Sequence, residues 1–271
     1  MLMKTRSRSA DRLLAPEERL ERQAEFYLCL ARGFLAPREE SAWLGMKECL
    51  AGDLAELARE LGLDAGGEIA EYRAAIAAMP DALSLLQTYA ALFLMPPAPA
   101  PLNTGLYLDG GLAGPSVTAM EACYRKCGVE RDSGFRDLSD HPAVQLEFVA
   151  YLLAREAQHA AGRGEAPPVR GAEFLESFVR GWAPGFAAAL EKASRERACA
   201  NPWLPLARLL AAAAERDAEP MPGVEAAPAR PPAPPLDADA LREMARKLRE
   251  RGLATDHLPL AETPGEGCAS G

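Results

Sequence analysis

The scarcity of β-branched aliphatic residues is the feature that most constrains the fold of this chain. Its 271 residues include only two isoleucines and seven valines, whereas alanine, leucine, glutamate and arginine are abundant. Strands favour β-branched side chains, and helices favour the residue types enriched here. The composition therefore predicts an all-α fold. A chain of this length can bury a sizeable core, as one large domain or two small ones, without disulfides or a metal.

Hydrophobic periodicity and helix-end signals place the helices. Asp81 is a candidate N-cap, and Gly52 and Pro184 are candidate breaks within longer helices. The pattern predicts helices over residues 17–35, 39–61, 68–79, 82–94, 116–127, 140–161, 171–197 and 201–216.

Composition divides the chain into five parts. A basic N-terminal arm is predicted over residues 1–16 and a single-domain helical bundle over residues 17–216. Seven prolines make residues 217–235 a Pro/Ala-rich linker, which we expect to be extended or disordered. A short amphipathic helix is predicted over 236–251, with Leu241, Met244, Ala245 and Leu248 on one side. Residues 252–271 are predicted to form a disordered tail.

Charge and hydropathy exclude several classes of partner. The formal charge of −9 argues against nucleic acid, because neutralising phosphates needs a basic surface. An acidic surface suits a basic ligand, although such a charge also arises from solubility alone. No window approaches the 18 or so continuous apolar residues of a membrane span, and the basic N-terminus lacks the apolar stretch of a signal peptide. We therefore expect a cytoplasmic protein that is not an integral membrane protein.

The reactive residues do not form a recognisable catalytic or metal-binding pattern. The six cysteines are scattered, without a CxxC motif or a histidine at ligand spacing. GxSxG and HExxH motifs are absent, and the glycines between 110 and 114 lack the Lys-Ser/Thr ending of a phosphate-binding loop. His141 with Asp140, or Cys123 with His141, would be the only catalytic pairs to consider. We therefore predict no enzymatic activity, no cofactor and no metal.

The segment from Met95 to Pro115 combines two features that rarely occur together. Four prolines between 96 and 101 forbid a helix, and four glycines between 105 and 114 permit tight turns. Yet Leu106, Tyr107, Leu108 and Leu112 are apolar. Long loops with this apolar content are usually functional or packed against the domain. The sequence therefore places a candidate functional site here.

Two motifs in and around this loop are shared with a known family. The first is Tyr89-Ala-Ala-Leu-Phe93, followed after the prolines by Leu106-Tyr-Leu-Asp-Gly110 and Gly114. The second is Asp140-His-Pro-Ala-Val-Gln-Leu-Glu-Phe148. In this order and separation they resemble the TorD family of redox-enzyme maturation chaperones, whose relatives include DmsD and NarJ. The resemblance covers residues 22–216. Serine precedes Asp140 where the family often has proline.

The resemblance implies an all-helical cytoplasmic chaperone. Such a protein binds the N-terminal, twin-arginine leader and the apo form of a molybdenum-containing oxidoreductase, assists cofactor insertion and delays export. Some relatives instead serve enzymes that are not exported and bind a vestigial leader. The partner would be the apo catalytic subunit, and the chaperone a monomer or a homodimer.

The chemistry of such a leader indicates which residues could bind it. Arginine pairs best with carboxylates, and an apolar stretch needs a hydrophobic groove. We expect the groove between the 81–94 helix, the 103–114 loop and the start of the 140–161 helix. The candidate peptide-binding residues are Tyr89, Phe93, Tyr107, Asp109, Gly110, Asp140, His141, Val144 and Glu147.

Simpler interpretations stand beside this hypothesis. Asp140 could serve only as a helix N-cap, His141 as a solvated first-turn residue, and Tyr89 and Phe93 as core. A different function is that of a helical adaptor acting through residues 237–251, whose exposed side would carry Arg242, Arg246, Lys247, Arg249 and Arg251. That basic side could contact an acidic surface or a membrane, or pack weakly on the acidic body of the protein itself.

Overall fold

The structure is a computed structural model, and it describes residues 14–130, 138–197 and 200–218. All regular secondary structure in these ranges is helical, which confirms the predicted all-α fold. The helices are α1 Pro16–Phe34, α2 Glu40–Leu44, α3 Leu50–Leu61, α4 Gly66–Ala77, α5 Ala82–Phe93, α6 Gly105–Leu108, α7 Pro115–Lys126, α8 Pro142–Ala160, α9 Gly171–Phe174, α10 Arg180–Arg197 and α11 Trp203–Asp217.

Local signals set several helix ends. Proline occupies the first position of α1, α7 and α8, where the missing N–H costs no intrahelical bond. The predicted cap at Asp81 is confirmed, since its carboxylate accepts a hydrogen bond from the Ser84 backbone N–H at 2.7 Å. At the end of α3, Gly62 takes a left-handed conformation with φ +67°, which a glycine adopts without strain.

Two helical breaks lie at positions other than those predicted. The 39–61 segment is interrupted by a π-helical turn at Gly45–Cys49 and continues through Gly52. Gly52 stays helical because a lone glycine weakens a helix by only about 1 kcal/mol. The 171–197 segment is interrupted at Leu175–Val179, and α10 runs through Pro184. The Pro184 ring crowds the carbonyl of Arg180, four residues earlier, and the π-helical turn ends at Val179, just before Arg180.

Helix α1 is the centre of the bundle. It packs along α8 and also contacts α3 and α11. Gly33 allows a close approach to α11, because a Cβ at this position would lie 3.0 Å from Leu206 Cδ1. The Trp203 indole donates a hydrogen bond to the Gly33 carbonyl at 3.0 Å. These contacts fix the end of α1 against the start of α11, and α5 packs beside them.

The far end of α11 is fixed by a buried polar cluster. Asp217 Oδ2 accepts a hydrogen bond from the phenol of Tyr27, which is completely buried, at 2.9 Å. The neighbouring Arg216 guanidinium donates to both Asp217 oxygens, at 2.7 and 3.0 Å. Burial, reinforced by Asp217, raises the pKa of Tyr27 well above its ordinary value. The C-terminal end of α11 is therefore fixed on α1.

Several predictions lie outside the described residues. These are most of the N-terminal arm 1–16, the linker beyond Ala218, the helix 236–251 and the tail 252–271. Helix α11 includes Asp217, one residue beyond the predicted helix end. Among the described residues, no single helix has the length and apolarity to cross a membrane. The pair α4 and α5, bent by 117°, meets those two criteria jointly.

Candidate functional site

Asp140 joins the Pro/Gly-rich loop to the start of α8. Its side chain is completely buried, and Oδ2 accepts a hydrogen bond from Gly105 N at 2.9 Å while Oδ1 accepts one from Asn103 Nδ2 at 3.3 Å. Its carbonyl accepts from both N and Oγ1 of Thr104, at 3.3 and 3.0 Å. A Cβ on Gly105 would lie 3.2 Å from Asp140 Oδ2 and 2.9 Å from Val117. Residues 103–105 are thus held against α8, and a side chain at position 105 would crowd Asp140 and Val117.

Gln145 extends this network into the core. Its Nε2 donates to the Asp140 carbonyl at 2.9 Å and to Thr104 Oγ1 at 2.5 Å, and its Oε1 accepts from Trp182 Nε1 at 2.9 Å. The side chain therefore connects the loop, α8 and α10. Gln145 was not among the predicted site residues. A single amide between Val144 and Leu146 in an apolar helix was the available signal, because a buried amide needs partners.

His141, and not Asp140, caps α8. The His141 side chain is 2% exposed, and its Nδ1 accepts a hydrogen bond from Ala143 N at 3.1 Å. Two of the simpler interpretations are therefore wrong: Asp140 is not the helix cap, and His141 is not solvated. The two adjacent residues point to different partners, since Asp140 holds the loop and His141 holds the first turn of the helix.

The three predicted aromatic residues meet, but inside the protein. Tyr89, Phe93 and Tyr107 are 2%, 4% and 6% exposed. The rings of Tyr89 and Phe93 lie 4.8 Å apart, and Phe186 lies about equally close to Phe93 and Tyr107, at 6.1 and 6.0 Å. Trp203 packs against both Tyr89 and Phe93. These residues are core, and they support α5 and the loop from within.

The turn at Asp109 and Gly110 lies at the surface of the loop. Asp109 is half-buried, and its Oδ2 accepts hydrogen bonds from N and Oγ of Ser116, at 3.0 and 2.5 Å. The carboxylate thus binds the first turn of α7. Gly110 is exposed with φ +73°, a left-handed conformation that favours glycine.

Val144 and Glu147 lie one turn apart on α8, half-buried and exposed respectively. Partial burial raises the pKa of Glu147, and the positive charge of Arg32 opposes that rise. Arg32 belongs to the last turn of α1, where the Phe34 carbonyl accepts a hydrogen bond from the Tyr89 phenol at 3.2 Å. The end of α1 therefore lies near both Tyr89 of α5 and Glu147 of α8.

The three carboxylates among the candidate peptide-binding residues, Asp109, Asp140 and Glu147, do not all face solvent. Asp140 is internal, and Asp109 is engaged with α7. Of the three, Glu147 is the carboxylate that is exposed to solvent. The sequence pattern could not separate the side chains that build this region from those that face outward.

The solvent-facing side of α5 and the residue just past its end expose apolar side chains. Leu83 and Leu94 are 61% and 42% exposed, with the half-buried Leu86 and Ala90 and the exposed Gln87 between them, and Met95, just past the helix end, is 60% exposed. We call Leu83, Leu86, Ala90, Leu94 and Met95 the outer face of α5. The sequence contains no charged residue from 82 to 108. Contiguous exposed apolar patches often mark binding sites.

A comparison with protein-family models places the same region in a family. The family model described as nitrate reductase delta subunit matches residues 47–188. The match spans α3 to the first half of α10, and so includes α5, the loop and α8. No curated protein matches the chain significantly.

Proposed function

This chain belongs to the nitrate reductase delta subunit family and is a redox-enzyme maturation chaperone of the NarJ and TorD type, and from this premise we propose that it binds the leader of an apo molybdenum oxidoreductase. The bound leader would be an N-terminal, twin-arginine segment, and binding would take place in the cytoplasm. Holding the leader until the cofactor is inserted would delay export of an unfinished enzyme.

The observation that carries this proposal is the outer face of α5. A leader combines arginines with an apolar stretch, and that stretch needs an exposed apolar surface to leave water. Leu83, Leu94 and Met95 provide this surface. Tyr89 and Phe93 support it from inside, where they pack on Trp203.

Glu147 is the carboxylate best suited to the leader's arginines. It is accessible near the start of α8, and the raised pKa means that partial burial disfavours its charged form, which a bound guanidinium would stabilise. A guanidinium can pair with such a carboxylate through two parallel hydrogen bonds. The Asp109–Gly110 turn and Val144 complete the accessible part of the proposed site, while Asp140, His141 and Tyr107 keep its loop and helix in place.

The role of Glu147 predicts a pH dependence of leader binding. A carboxyl whose pKa lies above its usual value near 4.5 loses its charge at a higher pH than an ordinary glutamate. We expect parent affinity to fall severalfold as the pH is lowered from 7 through the raised pKa of Glu147, and Glu147→Gln to bind more weakly at pH 7 with a flatter profile. Fluorescence anisotropy with a labelled leader measures both. An unchanged profile in Glu147→Gln would remove this residue from the site.

The function itself is tested by capture of a client. The full chain is co-expressed with the catalytic subunit of a molybdenum oxidoreductase from the same genome, with and without cofactor synthesis, and then affinity-purified. We expect the apo subunit to be captured, with capture lost when its leader is deleted. Equal capture of the cofactor-loaded subunit, or of the leaderless subunit, would contradict the proposal.

A further inference from the structure

The chain carries a segment whose chemistry resembles that of a leader. In residues 237–251, Leu241, Met244, Ala245 and Leu248 follow a helical spacing, and Arg246, Lys247, Arg249 and Arg251 make the second half basic. The segment therefore combines one apolar side with clustered positive charge. These are the two properties that the proposed leader site would recognise.

The described structure offers one clear surface for such a segment. Large apolar side chains are exposed at five described positions, Leu44, Leu83, Leu94, Met95 and Tyr151. Three of the five lie on the outer face of α5, whereas Leu44 is on α2 and Tyr151 on α8. Ala90 at the middle of this face leaves room for a close helix–helix approach.

The linker is long enough to bring the two together. Helix α11 starts beside Tyr89 and Phe93 of α5, where Trp203 contacts both, and ends at the anchored Asp217 about 22 Å away. Residues 219–236 span about 55 Å when they are extended. A tether of this length gives an effective concentration on the order of a millimolar, so even weak docking would be well populated.

Charges at the ends of α5 select one direction of docking. Exposed Asp81 lies at its N-terminal end, and the exposed Arg197 guanidinium donates to the Ala91 carbonyl near its C-terminal end. The segment begins with acidic Asp237 and Asp239 and ends with its basic cluster. An antiparallel arrangement places its basic end near Asp81 and its acidic end near Arg197. The parallel arrangement would pair like charges at both ends.

We propose that residues 237–251 dock antiparallel on the outer face of α5 and act as an internal substitute for the leader. Docking covers the apolar side chains of Leu83, Leu94 and Met95 when no client is present. A client leader then displaces the segment, a consequence that rests on the proposed function. The empty chaperone is thereby kept from binding other apolar peptides or a second copy of itself.

Site-specific photo-crosslinking in the full chain tests the docking. A benzophenone amino acid is placed at Leu83 or at Met95, with Ala74 on the exposed side of α4 as the matched control position. We expect intrachain crosslinks from Leu83 to residues 245–251 and from Met95 to residues 237–241, and none from Ala74 to either. Leu248→Asp should reduce both crosslinks and raise leader affinity about tenfold, as expected when a tethered competitor is removed.

The outcomes separate this inference from the proposed function. Crosslinks that join two copies of the chain, or no crosslink to residues 237–251, would overturn the docking. Leader crosslinking to Leu83 or Met95 without any intrachain product would overturn the docking but leave the proposed function standing. Intrachain crosslinks that no leader displaces would support the docking and count against the proposed function.

Discussion

Asp140→Ala is expected to lower the free energy of unfolding by about 3 kcal/mol, because a buried donor that loses its partner keeps its full desolvation cost. The substitution deprives Gly105 N of its acceptor at 2.9 Å and Asn103 Nδ2 of its acceptor at 3.3 Å. It also leaves a cavity at a completely buried position. Urea unfolding followed by circular dichroism measures the loss.

The native helical signal of Asp140→Ala should nevertheless match that of the parent, because His141 caps α8. Asp140→Asn is the matched control: it keeps an oxygen that can accept from Gly105 N, so we expect a clearly smaller loss of stability. A change of less than about 0.5 kcal/mol in Asp140→Ala would show that the carboxylate does not hold the loop.

Asp217→Ala is expected to have the second large effect, lowering the free energy of unfolding by about 2–4 kcal/mol. The Tyr27 phenol, completely buried, would lose its acceptor at 2.9 Å. The half-buried Arg216 guanidinium would lose both of its contacts with that carboxylate. Breaking a buried polar cluster by removing one member is costly because the remaining members stay desolvated. Urea unfolding again provides the measurement.

Tyr27→Phe is the matched control for Asp217→Ala. It removes the hydroxyl group together with the cost of desolvating it, and should lower the free energy of unfolding by only about 1 kcal/mol. In the double variant the losses should not add, because the two residues share one hydrogen bond. Fully additive losses would show that the two side chains do not interact.

The raised pKa of Tyr27 gives this cluster a pH signature. Folding favours the neutral phenol, so the stabilisation is fully present below the unfolded pKa near 10 and is lost as the pH rises toward the folded value. Parent stability should therefore fall above about pH 10. In Tyr27→Phe this part of the decline should be missing.

Local signals in the sequence were sufficient for most helices. Asp81 at a chain reversal, proline at first positions and apolar residues at helical spacing act within one or two turns, so they can be read without tertiary information. The π-helical turns at Gly45–Cys49 and Leu175–Val179 have no comparable local mark. Nothing in either pentapeptide distinguishes a widened turn from an ordinary one.

The candidate site could be located but not resolved into roles. Helix α5 has no charged residue and has large apolar side chains on more than one side, so its sequence could not show that Tyr89 and Phe93 pack inward on Trp203 while Leu83 and Leu94 face solvent. That distinction depends on residues more than 100 positions away. The adjacent Asp140 and His141 are both plausible caps, and only the position of Gly105, 35 residues earlier, separates their functions.

One titration tests whether the outer face of α5 binds the leader. Fluorescence anisotropy follows a labelled twin-arginine leader against the full chain, Leu94→Asp and Ala74→Asp, which adds the same charge to the exposed side of α4. We expect a dissociation constant near or below about 1 μM for the full chain and for Ala74→Asp. Binding to Leu94→Asp, and binding of a Lys-Lys leader to the full chain, should be roughly tenfold weaker or more. Equal affinity in all four titrations, or no binding in any, would contradict leader binding at the outer face of α5.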